Sequence, residues 1–420
     1  MMVVAPGANE DLTTPAHQPF LPPRPRSRAA LGLTAAAALG RFELQVCREC
    51  GTVQYPPREA CRRCLSTQLD WQLQTGGGEL ISTTTLFHSQ NEYFRERLPW
   101  RLGMVHLDCG PTVITHVHAA VEVPPARVRV DVRLDKAGQA ALIALPVSSA
   151  SRILEDKVLQ AMSCDPCSRR VLVTDGHSAV GQFLVRALVA AGARRVWVGD
   201  CRADNRTTEL DALVSLEPVT LVPLDLTSSE SVAQAGEQFG ARVDIIINNA
   251  EYHRAHGAVS SRGVGAPQAE MEVNYFGLLR LAQEFGPAMR ARAGEERGAT
   301  AWVNLLSVYA LANYPSHGTF SASKAAALSL SQCLRAEMQS SGIRVINLFP
   351  GPIDDEWNRR VPWPKIGADV LAREVIKALQ LGQEDVYPGD MAQEWLARWR
   401  ANPKVLEREL ATPLIGPLAT

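Results

Sequence analysis

The chain has 420 residues and a mass of 45.7 kDa, room for two or three domains at roughly 100–200 residues each. An apolar share of 46% and a charged share of 21% supply a real core and an ordinary surface. A net charge of -1 argues against whole-chain attraction to nucleic acid or to an anionic membrane, and no apolar run reaches the ~18 residues of a membrane helix.

Residues 1–39 read as a disordered Pro-rich tail, with Pro15, Pro19, Pro22, Pro23 and Pro25 close together. The basic stretch 24–28 followed by Ala-rich residues weakly mimics a signal peptide. Its apolar part is short, so it reads better as a tail entering a short helix. The next segment, 40–75, holds Cys47-Arg-Glu-Cys50, ten intervening residues, and Cys61-Arg-Arg-Cys64. Thiolates at i and i+3 on a tight knuckle face one ion, and four sulfurs suit tetrahedral Zn²⁺. A closed four-thiolate site has no open position, so the expected zinc is structural. Paired CxxC motifs in a chain of this size also point to a reducing, cytoplasmic compartment. Cys164 and Cys167 form a third CxxC in a linker and are read as incidental.

Residues 76–147 carry short strand signals at 81–87, 104–107, 113–117, 128–132 and 141–146, punctuated by Pro and Gly. Such spacing predicts a small β-barrel. A linker spans 148–168, with a short helix expected at 153–162. From 169 to 412 the pattern alternates: strands at 171–173, 195–198, 220–223, 243–247, 301–306 and 345–348 are separated by helical stretches such as 180–191. Alternation of this kind predicts a doubly wound parallel sheet covered on both faces, a Rossmann-type α/β unit. A last helix is expected at 395–410, and 413–420 read as a tail.

The cysteine segment from Leu44 to Gly51, the second CxxC, the glycines at 76–78 and the short strands together resemble the DUF35 family over about 38–147. That resemblance implies a rubredoxin-like zinc ribbon joined to an OB-fold, association with acyl-CoA or another acyl thioester, and a thiolase-superfamily protein as partner. OB-folds also bind single-stranded nucleic acid, but the basic and aromatic groove this requires is not evident here.

Residues 169–410 resemble the short-chain dehydrogenase/reductase (SDR) family, which implies hydride transfer between NAD(P) and a carbonyl or alcohol, and dimers or tetramers through this half. Carried over by position, Ser307, Lys324 and Asn274 are the catalytic set. Thr174, Gly176, Gly181, Asp200, Asp225, Asn248, Ala250, Lys324, Pro350 and Gly351 would hold the dinucleotide. The chain departs from the family at telling places. The catalytic Tyr of YxxxK is Phe320, which has no proton to give and leaves Lys324 without a phenol to tune. The Gly-rich loop TGxxxGxG has Asp175 and Ala179 where glycines belong, and Glu251 follows Asn-Asn-Ala. Asp200, at the end of the second strand, would accept from ribose hydroxyls and favour NAD, against which Arg202 acts. Tyr309 or Tyr314 could swing in as a substitute phenol. Asn274 could instead plug a kinked helix, and Lys324 could pair with a carboxylate. Asp354 and Asp355 are expected to cap a helix amino end, 357–363 to form a substrate lid, and Trp395 and Trp399 to pack.

Two functional readings follow. The first is a CoA-thioester-handling protein in which ribbon and barrel recruit acyl-CoA and a thiolase-like partner, and the SDR-like half is impaired in hydride transfer. The alternative is an active NAD(P)-dependent oxidoreductase on a β-hydroxyacyl or β-ketoacyl thioester. A weaker third idea is retro-aldol or retro-Claisen cleavage using Lys324.

Overall fold

The computed structural model describes residues 20–23, 26–147, 156, 159–202, 207–294, 298–356, 358–359, 361 and 364–411. Residues 1–19 of the expected 1–39 tail and all of the expected 413–420 tail lie outside the described residues, as do most of the linker helix and part of the 357–363 segment; residues 31–38 of the expected tail are instead a helix with Leu33, Ala36 and Ala37 buried.

A short helix α1 (Leu31–Ala38) leads into a three-stranded antiparallel sheet of β1 (Glu43–Cys47), β2 (Val53–Gln54) and β3 (Leu69–Leu73), in the order β2-β1-β3. The two cysteine knuckles close alike. Gly51 N–H donates to the Cys47 carbonyl at 2.9 Å and Leu65 N–H to the Cys61 carbonyl at 3.0 Å. Both closing residues are left-handed, Gly51 at φ 69° and Leu65 at 61°, so the second knuckle accepts a strained non-glycine. Two buried amides hold the knuckles in register. Gln54 donates to Gln45 at 3.0 Å, Gln45 donates to the Arg58 carbonyl at 3.1 Å, and Arg62 N–H donates to Gln54 at 3.0 Å.

The barrel follows: β4 (Gly77–Leu86), a turn of helix α2 (Glu92–Arg95), β5 (Trp100–Leu107), β6 (Thr112–Val117), β7 (Ala126–Leu134) and β8 (Ala140–Pro146). It closes in the order β4-β5-β6-β8-β7, with β6 and β8 parallel and the other pairs antiparallel. Inward residues Leu80, Val105, Val113, Val128 and Val130 form one continuous core with Leu33, Ala37, Phe42 and Leu44 from the ribbon. Ribbon and barrel therefore bury each other. Gly78 permits the curl of β4, since a Cβ there would lie 2.7 Å from the His106 carbonyl.

Among the described residues the α/β half contains seven parallel strands: β9 (Arg170–Val173), β10 (Arg195–Asp200), β11 (Val219–Pro223), β12 (Ile245–Asn248), β13 (Ala301–Leu305), β14 (Arg344–Leu348) and β15 (Asp385–Val386). They are ordered β11-β10-β9-β12-β13-β14-β15. The covering helices are α3 (Ala179–Ala190), α4 (Thr208–Val214), α5 (Ser229–Phe239), α6 (Gly265–Met271), α7 (Gly277–Arg292), α8 (Gly318–Gln339) and α9 (Ala368–Leu381). Two apolar clusters sandwich the sheet, around Trp302, Phe285 and Phe239 on one face and Leu184, Val303 and Leu371 on the other. The strand order reverses between β9 and β12, which places a crevice at their carboxyl ends.

Two expectations are corrected here. The expected last helix is two, α10 (Asp390–Ala401) and α11 (Pro403–Ala411), because Pro403 cannot continue the hydrogen-bond ladder. Among the described residues, Asp354 and Asp355 cap no helix. Asp355 accepts from Asn358 N–H at 2.9 Å within a turn, and Asp354 lies 3.9 Å from Lys365. Among the described residues no helix is long and apolar enough to cross a membrane.

The barrel docks on the strand-entry edge of the sheet. Buried Arg344, at the start of β14, donates to the carbonyls of Leu134 at 3.2 Å, Asp135 at 2.8 Å and Gly382. Arg133 donates to the Leu381 carbonyl at 3.1 Å and Lys136 to that of Ala293 at 3.1 Å. Glu384 N–H donates to the Ala38 carbonyl at 2.8 Å. Helix ends and strand starts share this edge in a parallel α/β unit. The crevice lies on the opposite edge, so the two halves are not joined face to face across it.

Candidate functional site

The ribbon brings its four thiols together. All four Sγ atoms lie within 4.8 Å of one another, with Cys47 to Cys64 at 3.5 Å and Cys50 to Cys61 at 3.6 Å. Tetrahedral zinc with Zn–S near 2.3 Å needs sulfurs about 3.8 Å apart, so the donor set and spacing fit the ion. The hydroxyl and then the backbone of Thr52 draw the Cys50 thiol down to about 6, which favours the thiolate a metal requires. The nine cysteines are all free thiols.

At the crevice, β9 runs into the loop before α3. Thr174 is buried and ties the loop to β12: its hydroxyl donates to Asn248 at 3.2 Å and accepts from Asn249 N–H at 3.0 Å and Ala250 N–H at 3.1 Å. Gly181 belongs to the first turn of α3, where a Cβ would lie 1.9 Å from the Asp175 carbonyl. Gly176 tucks under Val198, 2.4 Å from where its Cβ would be. The loop therefore has the tight backbone of a phosphate cradle.

Its donors are engaged internally. The Asp175 carboxylate accepts from His177 N–H at 2.9 Å and from Ser178 N–H at 3.3 Å, and the Ser178 hydroxyl accepts from Gly181 N–H at 3.1 Å. An anion at a helix amino end seeks such N–H groups, and here the chain's own carboxylate and hydroxyl take them. Asp200 ends β10 as expected, but its carboxylate meets His177 Nε2 at 2.7 Å and accepts from Arg202 N–H at 2.9 Å. Asp225 caps its own turn through Thr227 N–H at 2.9 Å.

The catalytic positions are likewise gathered and likewise engaged. Lys324 Nζ donates to the Leu305 carbonyl at 3.0 Å and forms an ion pair with Glu251 at 2.7 Å. Burial works most strongly against the Glu251 carboxylate, but the charge and hydrogen bond of Lys324 together with the neighbouring His253 hold it below its usual range. Phe320 is buried with the His253 imidazole stacked on it, centroids 3.7 Å apart and rings at 18°. His253 Nε2 meets His317 Nδ1 at 2.7 Å. Desolvation pushes His253 down to about 4 and also lowers His317, so both imidazoles are neutral near pH 7. Ser307 is buried at the end of β13, and its hydroxyl accepts from Tyr309 N–H at 3.2 Å. Pro350 and Gly351 follow β14 and are buried. Asn274 sits in a π-helical turn, Glu272–Phe276, between α6 and α7. Its amide donates to the Tyr252 carbonyl at 3.0 Å and to Ser323 at 2.8 Å and accepts from Tyr252 N–H at 3.0 Å. A side chain with every group satisfied is the plug such a bulged helix needs.

The side chains of Tyr309 and Tyr314 both make ring contacts beside Phe320 or one another rather than phenol hydrogen bonds to Ser307 or Lys324. Tyr309 is buried, stacks on Tyr314 at 5.5 Å and meets Phe320 edge-on at 6.1 Å. Burial raises its phenol, and its hydroxyl has no hydrogen-bond partner. Sequence reasoning did not single out His177, His253 and His317, which are scattered along the chain and carry no motif.

In this arrangement the groups that would hold NAD(P) are engaged by the chain's own side chains. A pyrophosphate would meet the Asp175 carboxylate on the N–H groups it needs. Ribose hydroxyls would find Asp200 held by His177 and Lys324 held by Glu251.

A parallel sheet of this order, with Ser, Lys and Asn at these positions, behind a four-cysteine ribbon and a closed five-stranded barrel, defines a short-chain dehydrogenase unit fused to a ribbon–OB module. The chain belongs to the short-chain dehydrogenase family, which matches residues 169–363; residues 34–70 match the ChsH2 rubredoxin-like zinc ribbon domain and 71–138 the ChsH2 C-terminal OB-fold domain. Galactitol 2-dehydrogenase (L-tagatose-forming) of Cereibacter sphaeroides is 34% identical over 190 residues, 44% of this chain and 71% of that protein. Dehydrogenase/reductase SDR family member 7B of Rattus norvegicus is 35% identical over 193 residues, 44% of this chain but only 57% of its own length. Among solved structures, a short chain dehydrogenase of Burkholderia cenocepacia J2315 in complex with NADP is 36% identical, with a TM-score of 0.54 over 60% of this chain and all of that one.

Proposed function

We propose that the protein handles CoA thioesters as an accessory subunit. Its ribbon and barrel recruit an acyl-CoA and a thiolase-superfamily partner, and its α/β half is a scaffold and homo-oligomerisation unit that does not transfer hydride. The observation that carries this reading is the triple occupation of the crevice by the chain's own side chains: Asp175 on the phosphate loop, Glu251 on Lys324, and Phe320 in the proton donor's place. General acid–base catalysis is worth typically 10²–10⁴ in rate, and no buried phenol here is positioned to restore it. A free apolar stripe on the barrel supports a partner. Met104 on β5 pairs with Ile114 on β6, both exposed, with exposed Ile81 nearby on β4. Nine free thiols suit a reducing cytoplasm.

The second reading is an active oxidoreductase on a β-hydroxyacyl or β-ketoacyl thioester. It draws on the NADP-complexed structure at 36% identity. It requires Asp175 and Glu251 both to leave their partners. Titration of the zinc-loaded chain with NADH and with NADPH separates the two readings: the accessory reading expects no saturable binding at micromolar concentration.

A further inference from the structure

The strand-entry edge of the sheet carries a second feature, remote from the crevice. A cavity of about 440 Å³ opens between Arg170, Arg194, Arg195, Trp197 and Arg242. Four of its five lining residues are arginines, and no carboxylate lines it among the described residues. Three of those guanidiniums are held in place by the fold. Arg170 is fixed to the buried Asp244 carboxylate by bonds of 2.8 and 3.0 Å. Arg195 donates to the Thr220 hydroxyl at 3.0 Å. Arg242 donates to the Gln238 carbonyl at 2.7 Å and lies over the Trp197 indole at 5.7 Å. Asp244 itself is shared with Arg292 at 2.7 Å, and among the described residues Arg194, Arg195 and Arg242 form no ion pair with a carboxylate, so positive charge is in excess at the cavity mouth. Arg194, Arg195 and Arg242 are exposed. The carboxyl end of α5 points here and contributes roughly half a negative charge, too little to cancel the surplus.

The cavity is also linked to the barrel through intervening residues. Lys136 of the barrel donates to the Ala293 carbonyl just past α7; Arg292, the last residue of α7, grips Asp244; and Asp244 grips Arg170. A continuous chain of contacts thus leads from the OB-fold to the cavity wall. A planar guanidinium fork matches phosphate oxygens two at a time, and ligand cavities typically measure ~300–1,000 Å³.

We propose that this cavity binds a small ligand bearing clustered phosphates, the pyrophosphate or phosphomonoester end of a nucleotide. The site is independent of the crevice and goes beyond the functional reading above. Free nucleotides and the nucleotide end of coenzyme A share this chemistry.

Isothermal titration of the full chain at low salt with coenzyme A, ADP, inorganic pyrophosphate and uncharged adenosine tests it. The expected result is saturable binding of the phosphorylated probes that weakens steeply with salt, and no binding of adenosine. Arg195→Ala with Arg242→Ala should weaken binding at least tenfold, while Arg186→Ala, an exposed arginine on α3, should leave it unchanged. Coenzyme A binding tenfold tighter than ADP and pyrophosphate would assign the site to the thioester carrier; equal binding would assign it to free phosphate compounds. No saturable binding by any phosphorylated probe at millimolar concentration would overturn the proposal. So would binding that the Arg195/Arg242 double variant retains while thermal melting shows it folded.

Discussion

Replacing Asp175 and Glu251 together by glycine should open the crevice to NADH. The Asp175 carboxylate holds two loop N–H groups at 2.9 and 3.3 Å, so a phosphate brought to those donors would approach a like charge at about 4 Å. At an effective dielectric of about 20 that repulsion is ~4 kcal/mol, about three decades in affinity. Glu251 adds the cost of parting a carboxylate from Lys324 at 2.7 Å. Partial relaxation will reduce both, so the double variant is expected to gain at least about 100-fold in NADH affinity, read by quenching of tryptophan fluorescence. Losing the two loop hydrogen bonds should cost ~1–3 kcal/mol of stability, visible as a lower melting temperature. Adding Phe320→Tyr should change affinity little and is the step expected to bring turnover of a carbonyl substrate. An unmodified chain that already binds NADH at micromolar concentration would refute the reasoning, as would a folded double variant with no gain.

Three further outcomes are expected. Trp100 Nε1 donates to His116 Nδ1 at 2.7 Å, and burial holds both His116 and His253 down to about 4. The unfolded chain therefore takes up protons first as pH falls. Stability is whole above about 6.5 and should drop by ~1.4 kcal/mol per unit for each imidazole toward pH 4; denaturant melts at pH 7.5 and 5.0 check this, and His116→Asn should flatten the slope. Arg344→Ala removes three charge-assisted donations to backbone carbonyls at the barrel–sheet junction. It should cost ~3–5 kcal/mol and split calorimetric unfolding into two transitions, whereas a single unchanged transition would mean that the junction is held elsewhere. Removing zinc with a chelator, or substituting Cys47→Ser, should release the metal and unfold the ribbon, exposing Phe42 and Leu44 of the shared core; tryptic cleavage within 40–75 reports it.

The parts of this fold that a local signal carries could be read in the residues. Strands β9 to β14 are apolar runs between turn residues, and the knuckles announce themselves as CxxC. The two-residue β15 could not be read, because Asp385–Val386 is a strand only by pairing with Asn347 and Leu348. The break between α10 and α11 had a local signal, Asn402-Pro403, which the apolar stripe through Trp395 and Leu406 obscured. The site divides along the same line. Asp175 acts on N–H groups two and three residues away, so its place beside the phosphate loop was legible. His177 on Asp200 and Glu251 on Lys324 join residues 23 and 73 positions apart, and only the crossover of the sheet brings them together. The docking edge was illegible too, since it rests on backbone carbonyls, which every residue has.

The most direct test is the content of the protein purified from its own cell: zinc, released dinucleotide and bound proteins measured on one sample. The account predicts about one zinc per chain in the closed four-thiolate site, a co-purifying thiolase-superfamily protein, and no NAD(H) or NADP(H) released on denaturation. A homo-oligomer that releases a stoichiometric dinucleotide and turns over a β-hydroxyacyl thioester would contradict it.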